Sequence, residues 1–266
     1  MREINLEEEK QIQLDILKHI HDVCEKNNID YYLAFGTLLG AIRHNGYIPW
    51  DDDIDILVKE KDYYKLVECI NNEDDKYYFC DAKYDDKYPL SFGKVMNKDT
   101  VKIEAVDSFK NYELGVNIDV FILYESDKKT YLEYKKSLDK YCLYYRMKTL
   151  DYVKGDNILK NIVKKALHCL FCFVSYNKNA NMIKEILRKC SEDSDGSLLV
   201  SKEEYGVNFY DTRWFDKKVL HKFEQYEFYI PCEYDNILKE SFGNYMKLPP
   251  EKDRKTHHKN NSYVKE

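Results

Sequence analysis

Four aspartates fall within five positions, Asp51, Asp52, Asp53 and Asp55, in the run "WDDDIDILV", which leads straight into an apolar, β-branched segment. Successive side chains of a strand alternate between faces, so Asp53 and Asp55 point one way while Ile54 and Ile56 point the other. Two like charges converging beside an apolar face repel, and burying them is costly without compensation. A divalent cation supplies it. Hard oxygen ligands suit Mg²⁺ (or Mn²⁺), which takes one or two protein carboxylates, keeps several waters and accepts substrate phosphates. Asp119, the lone acid inside the strand-like "VNIDVFIL", is the third candidate ligand, because an isolated Asp in a β-branched run needs a partner. The competing reading of the acidic run is a solvated turn, which Asp51 and Asp52 fit; the apolar strand that follows favours the metal for Asp53 and Asp55.

A second device precedes the first. In "FGT", residues 35 to 37, Gly36 allows close backbone approach between a strand and a short helix. The free N–H groups at the helix start, with Thr37 as cap, can then hold a phosphate. A phosphate cradle followed by paired strand carboxylates is what a metal-dependent nucleotide enzyme needs.

The elements that must position these groups are legible as patterns. Apolar residues at helical spacing from Leu6 to Cys24 predict an amphipathic helix, "DYYLAFG" a short strand, and "TLLGAIRH" a short helix broken by "NGY" and Pro49. "IDILV" (54–58) is the strand that carries the acids, and "EKDYYKLVECI" (60–70) a helix with Asp62 as its N-cap. "YYFCDA", "LSFGKVMN", "TVKIEAV" and "LGVNIDVFIL" are further strands. The expected class is α+β, a mixed sheet flanked by helices, with a core over 1–125, a helical insertion over 126–196 and a C-terminal extension over 197–266 packed on the core.

Lys+Arg 42 against Asp+Glu 48 gives a formal charge of -6, without the basic bias of a non-specific nucleic-acid binder, so no nucleic-acid partner is expected. The charged N-terminus has no apolar signal core and no stretch is long enough to span a bilayer, which predicts a soluble cytoplasmic protein. "ILKNIVKKALHCLFCFV" (158–174) could lie on the inner face of a membrane as a peripheral contact; a buried helix is the favoured account. The eight cysteines are scattered, as expected of reduced thiols, and Cys169 and Cys172, in an apolar CxxC, read as buried.

With these residues in view, "FGTLLGAIRHNGYIPWDDDIDI" resembles the signature of the LicD family, the phosphocholine transferases of bacterial surface glycans, related to fukutin-type proteins. The resemblance continues through "FGKVMNKDT", "GVNIDVFIL" and "FEQYEFYIPCEYDNILKESFGNYMKLPPEKDR". It implies a nucleotidyltransferase-like fold and transfer of a phosphorylated alcohol, commonly phosphocholine from CDP-choline, to a sugar hydroxyl. The implied partners are a CDP-alcohol donor and a glycan acceptor destined for lipopolysaccharide, teichoic acid or capsule. Gly36 and Thr37 would then line the phosphates, Asp53 and Asp55 would hold the metal, and Asp51 would add a polar contact. Asp119 would be third ligand or base for the acceptor hydroxyl, and Lys94 would steady phosphate charge.

The chain departs from the family at one strand, usually "IDIFPLD": Ile122 replaces the proline and Tyr124 stands where the second acid would be. Choline requires aromatic faces, for which Trp50 and Trp214 are the candidates; Arg254, His257 and His258 read as a basic tail. Two alternatives stand beside the transferase: a nucleotidyltransferase that moves NMP from an NTP to a small acceptor with the same carboxylates, and a non-catalytic partner in glycan assembly.

Overall fold

The computed structural model describes every residue except 74–75, 104–106, 110–111, 150–157, 172, 255–260 and 266. The chain runs through β1 (Arg2–Ile4), α1 (Leu6–Asn27), β2 (Tyr31–Leu33), α2 (Phe35–His44), β3 (Asp55–Lys59), α3 (Glu60–Glu73), β4 (Tyr77–Cys80), β5 (Gly93–Asn97), β6 (Thr100–Ile103) and β7 (Asn117–Ser126). Then come α4 (Lys128–Lys148), α5 (Ile158–Phe171), α6 (Tyr176–Asp193), β8 (Leu198–Lys202), β9 (Val207–Asp211), β10 (Lys218–Phe223), β11 (Tyr226–Pro231), α7 (Tyr234–Phe242) and β12 (Asn261–Val264).

Local chemistry sets the first helix. The Asn5 side chain accepts from the Glu8 backbone N–H at 2.9 Å, and the Glu8 carboxylate accepts from the Asn5 N–H at 3.3 Å, a reciprocal cap. Leu14, Ile16, Leu17, Ile20, Val23 and Cys24 then form its buried stripe. The helix ends at Asn28 with φ of 50°, a left-handed stop that Asn tolerates.

The central sheet has seven strands in the order β2-β3-β7-β5-β4, with β8 added beside β7 and β9 beside β8. β3 and β7 are parallel, and the other pairings are antiparallel. The sheet is therefore mixed, with helices packed on it, as the α+β expectation required. The parallel register sets Asp55 directly beside Asp119, which brings two acids 64 positions apart in sequence onto neighbouring strands. β3 and β7 are central and apolar, with Ile56, Val58 and Val120 fully buried, which makes the platform beneath the acids rigid. β1, β12 and β6 form a separate three-stranded antiparallel sheet, and β10 and β11 form a hairpin.

Some expectations change. α3 begins at Glu60, immediately after β3, so Asp62 lies in the first turn and is not the cap. The tail resolves into two hairpins, a short helix and the strand β12, its buried aromatics Phe215, Phe223 and Phe228 joining the main core. The favoured burial of "ILKNIVKKALHCLFCFV" is overturned: Ile162, Val163, Leu170 and Phe173 are all more than half exposed. Cys169 is exposed as well, contrary to the reading of a buried thiol, while Cys172 lies outside the described residues. Among the described residues no helix is long and apolar enough to cross a membrane.

Candidate active site

β3 and the start of α2 form one wall of an open cavity of about 600 Å³, lined by Gly36, Trp50, Asp51, Asp53 and Asp55 and closed opposite by Arg43, Tyr245 and Pro249. Its size falls in the usual ~300–1,000 Å³ range of small-molecule sites. Asp53 and Asp55 are part-exposed while Ile54 and Ile56 are fully buried, so the two acids share the open face. The strand ladder reaches back to the acids: the Asp119 N–H donates to the Ile54 carbonyl at 2.9 Å.

The turn at 35–37 works differently from the expected cap. α2 starts at Phe35, its N-cap is Ala34, and no side chain caps it. Thr37 is buried inside the first turn, and its hydroxyl accepts the Asp55 backbone N–H at 2.9 Å. Thr37 therefore fixes the strand that carries the acids and does not line the cavity. Phe35 has a φ of 43°, a left-handed conformation unfavourable for an aromatic residue, here placed beside the acids. Gly36 does line the cavity, and the reason it is glycine is visible: a Cβ there would lie 2.7 Å from Asp51 Oδ2.

Carboxylate crowding dominates the electrostatics. Burial, then the charge of Asp53 and a hydrogen bond to it, push the Asp51 carboxyl up to about 7. Burial, then Asp53, Asp119 and Asp51, push Asp55 well above the carboxylate range, against the opposing pull of Lys94. Among the described residues, the three acids whose oxygens lie within 4.8 Å of one another are Asp51, Asp52 and Asp53. That all-oxygen, strongly repelling set fits a hard divalent cation, whose charge would relieve the repulsion. It also gives Asp52 a place: buried, it supplies its backbone carbonyl to Gln13 Nε2 at 3.0 Å while its carboxylate joins the cluster.

Asp119 and Lys94 lie on a second cavity of about 270 Å³, whose wall Asp53 shares. Lys94 is buried and donates to Asp119 Oδ1 at 2.6 Å and to Asn117 Oδ1 at 3.1 Å. It is an internal charge partner of the expected third ligand. Trp50 sits in the first cavity, whereas Trp214 lines a separate groove with Tyr131, Tyr210 and Lys128, away from the carboxylates. Arg254 is not a loose basic tail: its guanidinium lies 5.5 Å from the Trp50 ring centroid and its Nε donates to the Pro249 carbonyl at 2.9 Å. His257 and His258 lie outside the described residues.

Residues from far along the chain complete both cavities; Tyr245 and Pro249 fall in the C-terminal stretch that carries the resemblance, whereas Glu203, Glu204 and Tyr205 had no signal of their own. Glu203, Glu204 and Tyr205, on the turn between β8 and β9, close the second cavity. Tyr245 and Pro249, beyond α7, close the first. The pairing of β8 with β7, and the Ser91 N–H donated to Glu204 at 2.6 Å, hold the acidic turn at the cavity that Asp119 also lines.

Fold and site together define a mixed α+β domain with an acidic cluster at the end of β3, beside its parallel neighbour β7. Residues 28–149 match the family described as LicD/FKTN/FKRP, nucleotidyltransferase domain. Over its whole length the chain is similar to the lipopolysaccharide cholinephosphotransferase LicD of Haemophilus influenzae, at 29% identity across 99% of this chain and 100% of the relative. Shorter similarities link it to uncharacterised proteins of Rickettsia typhi, 43% identical over 23% of this chain and 20% of the relative, and Rickettsia prowazekii, 46% identical over 21% of each.

Proposed function

We propose that this chain is a metal-dependent phospho-alcohol transferase that moves phosphocholine from CDP-choline to a sugar hydroxyl of a cell-surface glycan or its precursor. The observation that carries the reading is the cavity in which Gly36, Asp51, Asp53 and Asp55 meet at the end of β3, in a chain similar from end to end to a cholinephosphotransferase. Asp51, Asp53 and Asp55, with Asp119 beside them, are the groups that would hold Mg²⁺ or Mn²⁺. When bound, such an ion neutralises diphosphate charge and stabilises the charge that develops on the leaving oxygen.

The chain's own residues do the rest. Gly36 leaves room for the donor's phosphates against the α2 terminus, whose N–H groups favour anions. Thr37 holds β3 so that the acids stay in place, and Lys94 supplies fixed positive charge behind Asp119. The acceptor oxygen attacks the phosphorus that bears choline, the bond from that phosphorus to the bridging oxygen breaks, and CMP leaves. The hydroxyl proton passes to a carboxylate of the cluster, for which Asp119, held by Lys94 at 2.6 Å, is the proposed acceptor.

The same acids would serve a nucleotidyltransferase that releases pyrophosphate from an NTP. Mass spectrometry of products separates the two readings. Incubation with CDP-choline, Mg²⁺ and a glycan acceptor is expected to yield CMP and an acceptor heavier by phosphocholine. Pyrophosphate from NTPs, with no CMP from CDP-choline, would replace the transferase reading by the other.

A further inference from the structure

The second cavity has chemistry that phosphate binding does not call for. Phe92, Phe109, Tyr145 and Tyr205 supply aromatic surface, and Glu203 and Glu204 bring acids from the β8–β9 turn. Its two ammonium groups are already committed, Lys94 to Asp119 at 2.6 Å and Lys102 to Glu9 at 3.0 Å. Glu204 is committed too, accepting the Ser91 N–H at 2.6 Å. Glu203 is held by its backbone, its N–H donating to the Gly206 carbonyl at 3.2 Å and its own carbonyl accepting from Lys202 Nζ at 2.5 Å. Its carboxylate has no ion-pair partner among the described residues.

A quaternary ammonium group cannot donate a conventional hydrogen bond, so it is recognised by ring faces and by negative charge that does not depend on a donor. The rings here already face a cation: the Lys94 ammonium lies 5.9 Å from the ring centroids of both Phe92 and Phe109. At about 270 Å³ the cavity takes a small headgroup and not a nucleotide, and through Asp53 it opens on the cavity that suits the diphosphate.

We infer that the cavity between Phe92, Phe109, Tyr145 and the Glu203–Tyr205 turn is an onium site that receives the trimethylammonium group of the donor, with Glu203 as its counter-charge and the aromatic rings as its walls. The inference rests on the proposed phosphocholine transfer and adds where specificity for choline over neutral alcohols resides. Burial, then Glu204 and Asp119, push the Glu203 carboxyl up to about 7; a cation seated there relieves that repulsion.

The test uses the full chain and two probes of the same shape, choline and its neutral carbon isostere 3,3-dimethylbutan-1-ol, titrated calorimetrically. Choline is expected to bind at least about tenfold more tightly than the isostere, in line with a desolvated cation–π and charge contribution. Glu203→Gln and, on the exposed rim, Tyr205→Leu are each expected to erase most of that difference. In turnover, the same variants should lower the preference for CDP-choline over CDP-glycerol, as a ratio of kcat/KM, by about tenfold. Equal binding of the two probes by the parent chain, or variants that keep the parent's preference, would overturn the site. If the parent turns over no CDP-alcohol, the transferase reading fails, and the choline titration still decides the onium site on its own.

Discussion

At position 36 the space a methyl group would occupy belongs to a carboxylate. A Cβ on Gly36 would stand 2.7 Å from Asp51 Oδ2, so Gly36→Ala must displace that carboxylate while leaving the buried side of α2 alone. Circular dichroism should show the fold retained, and kcat should fall by roughly a hundredfold, the order expected from an ångström-scale misplacement of a catalytic group. Glu203 gives a pH signature at the same scale. Its folded carboxyl, pushed from its ordinary 4.5 up to about 7, holds its proton more tightly than the unfolded chain does. The stability it contributes is present below about pH 4.5 and is lost as pH rises through about 7. Glu203→Gln should therefore match the parent's melting temperature near pH 4.5 and exceed it at pH 8; an equal difference at both values would remove the repulsion argument. Asp53, Asp55 and Asp119 were legible as sequence because an acid in a β-branched run contradicts its surroundings. Glu203 was not, since an acid in a polar turn contradicts nothing until the fold sets it over Asp119.

Two elements, β3 and α2, owe their relation to one hydroxyl. Thr37 lies inside the first turn of α2, yet its Oγ1 accepts the N–H of Asp55, the first residue of β3. Thr37→Val keeps the shape and leaves that N–H unpaired, which should cost ~1–3 kcal/mol. Denaturant unfolding measures the cost, and activity per folded molecule should fall as well, because Asp55 moves with its backbone. The pattern of strand, short helix and strand was readable from "DYYLAFG", "TLLGAIRH" and "IDILV"; the bond between them was not, because it joins positions 18 apart. The cap of α2 was misplaced for a related reason. Thr at a strand-to-helix junction suits an N-cap by type, but here tertiary pairing with β3 engages the hydroxyl and Ala34 takes the cap position.

The whole molecule is tied together by a buried charge. Lys184 on α6 pairs with Asp81, just after β4, and both side chains are nearly or fully buried, at 5% and 0% exposure. Tyr63 on α3 also donates to Asp81, at 2.7 Å. Side chains from two separate helices, α6 and α3, thus converge on one carboxylate remote from the lining of either cavity. Lys184→Met strands the buried Asp81 and should destabilise the protein by roughly 3–5 kcal/mol, measured by chemical denaturation, with the kinetic constants of the surviving folded enzyme little changed. The helical character of residues 127–192 could be read from lysines alternating with apolar residues, but its anchorage could not, because the partners lie about a hundred positions apart. The exposed apolar residues of α5 mark the converse limit: apolar spacing identifies a helix and does not say what covers it.

All three scales meet in the acids at the end of β3, and one measurement addresses them directly. CMP release from CDP-choline in the presence of a glycan acceptor is followed for the parent chain and for Asp53→Asn across a titration of Mg²⁺, with melting curves recorded on the same samples. The account predicts metal-dependent CMP release by the parent, abolished by chelation, and a loss in Asp53→Asn of at least a hundredfold, the order seen when transition-state charge loses its stabilising group, with the melting temperature kept. CMP release that persists in Asp53→Asn at the parent's rate, or that is indifferent to chelation, would contradict it.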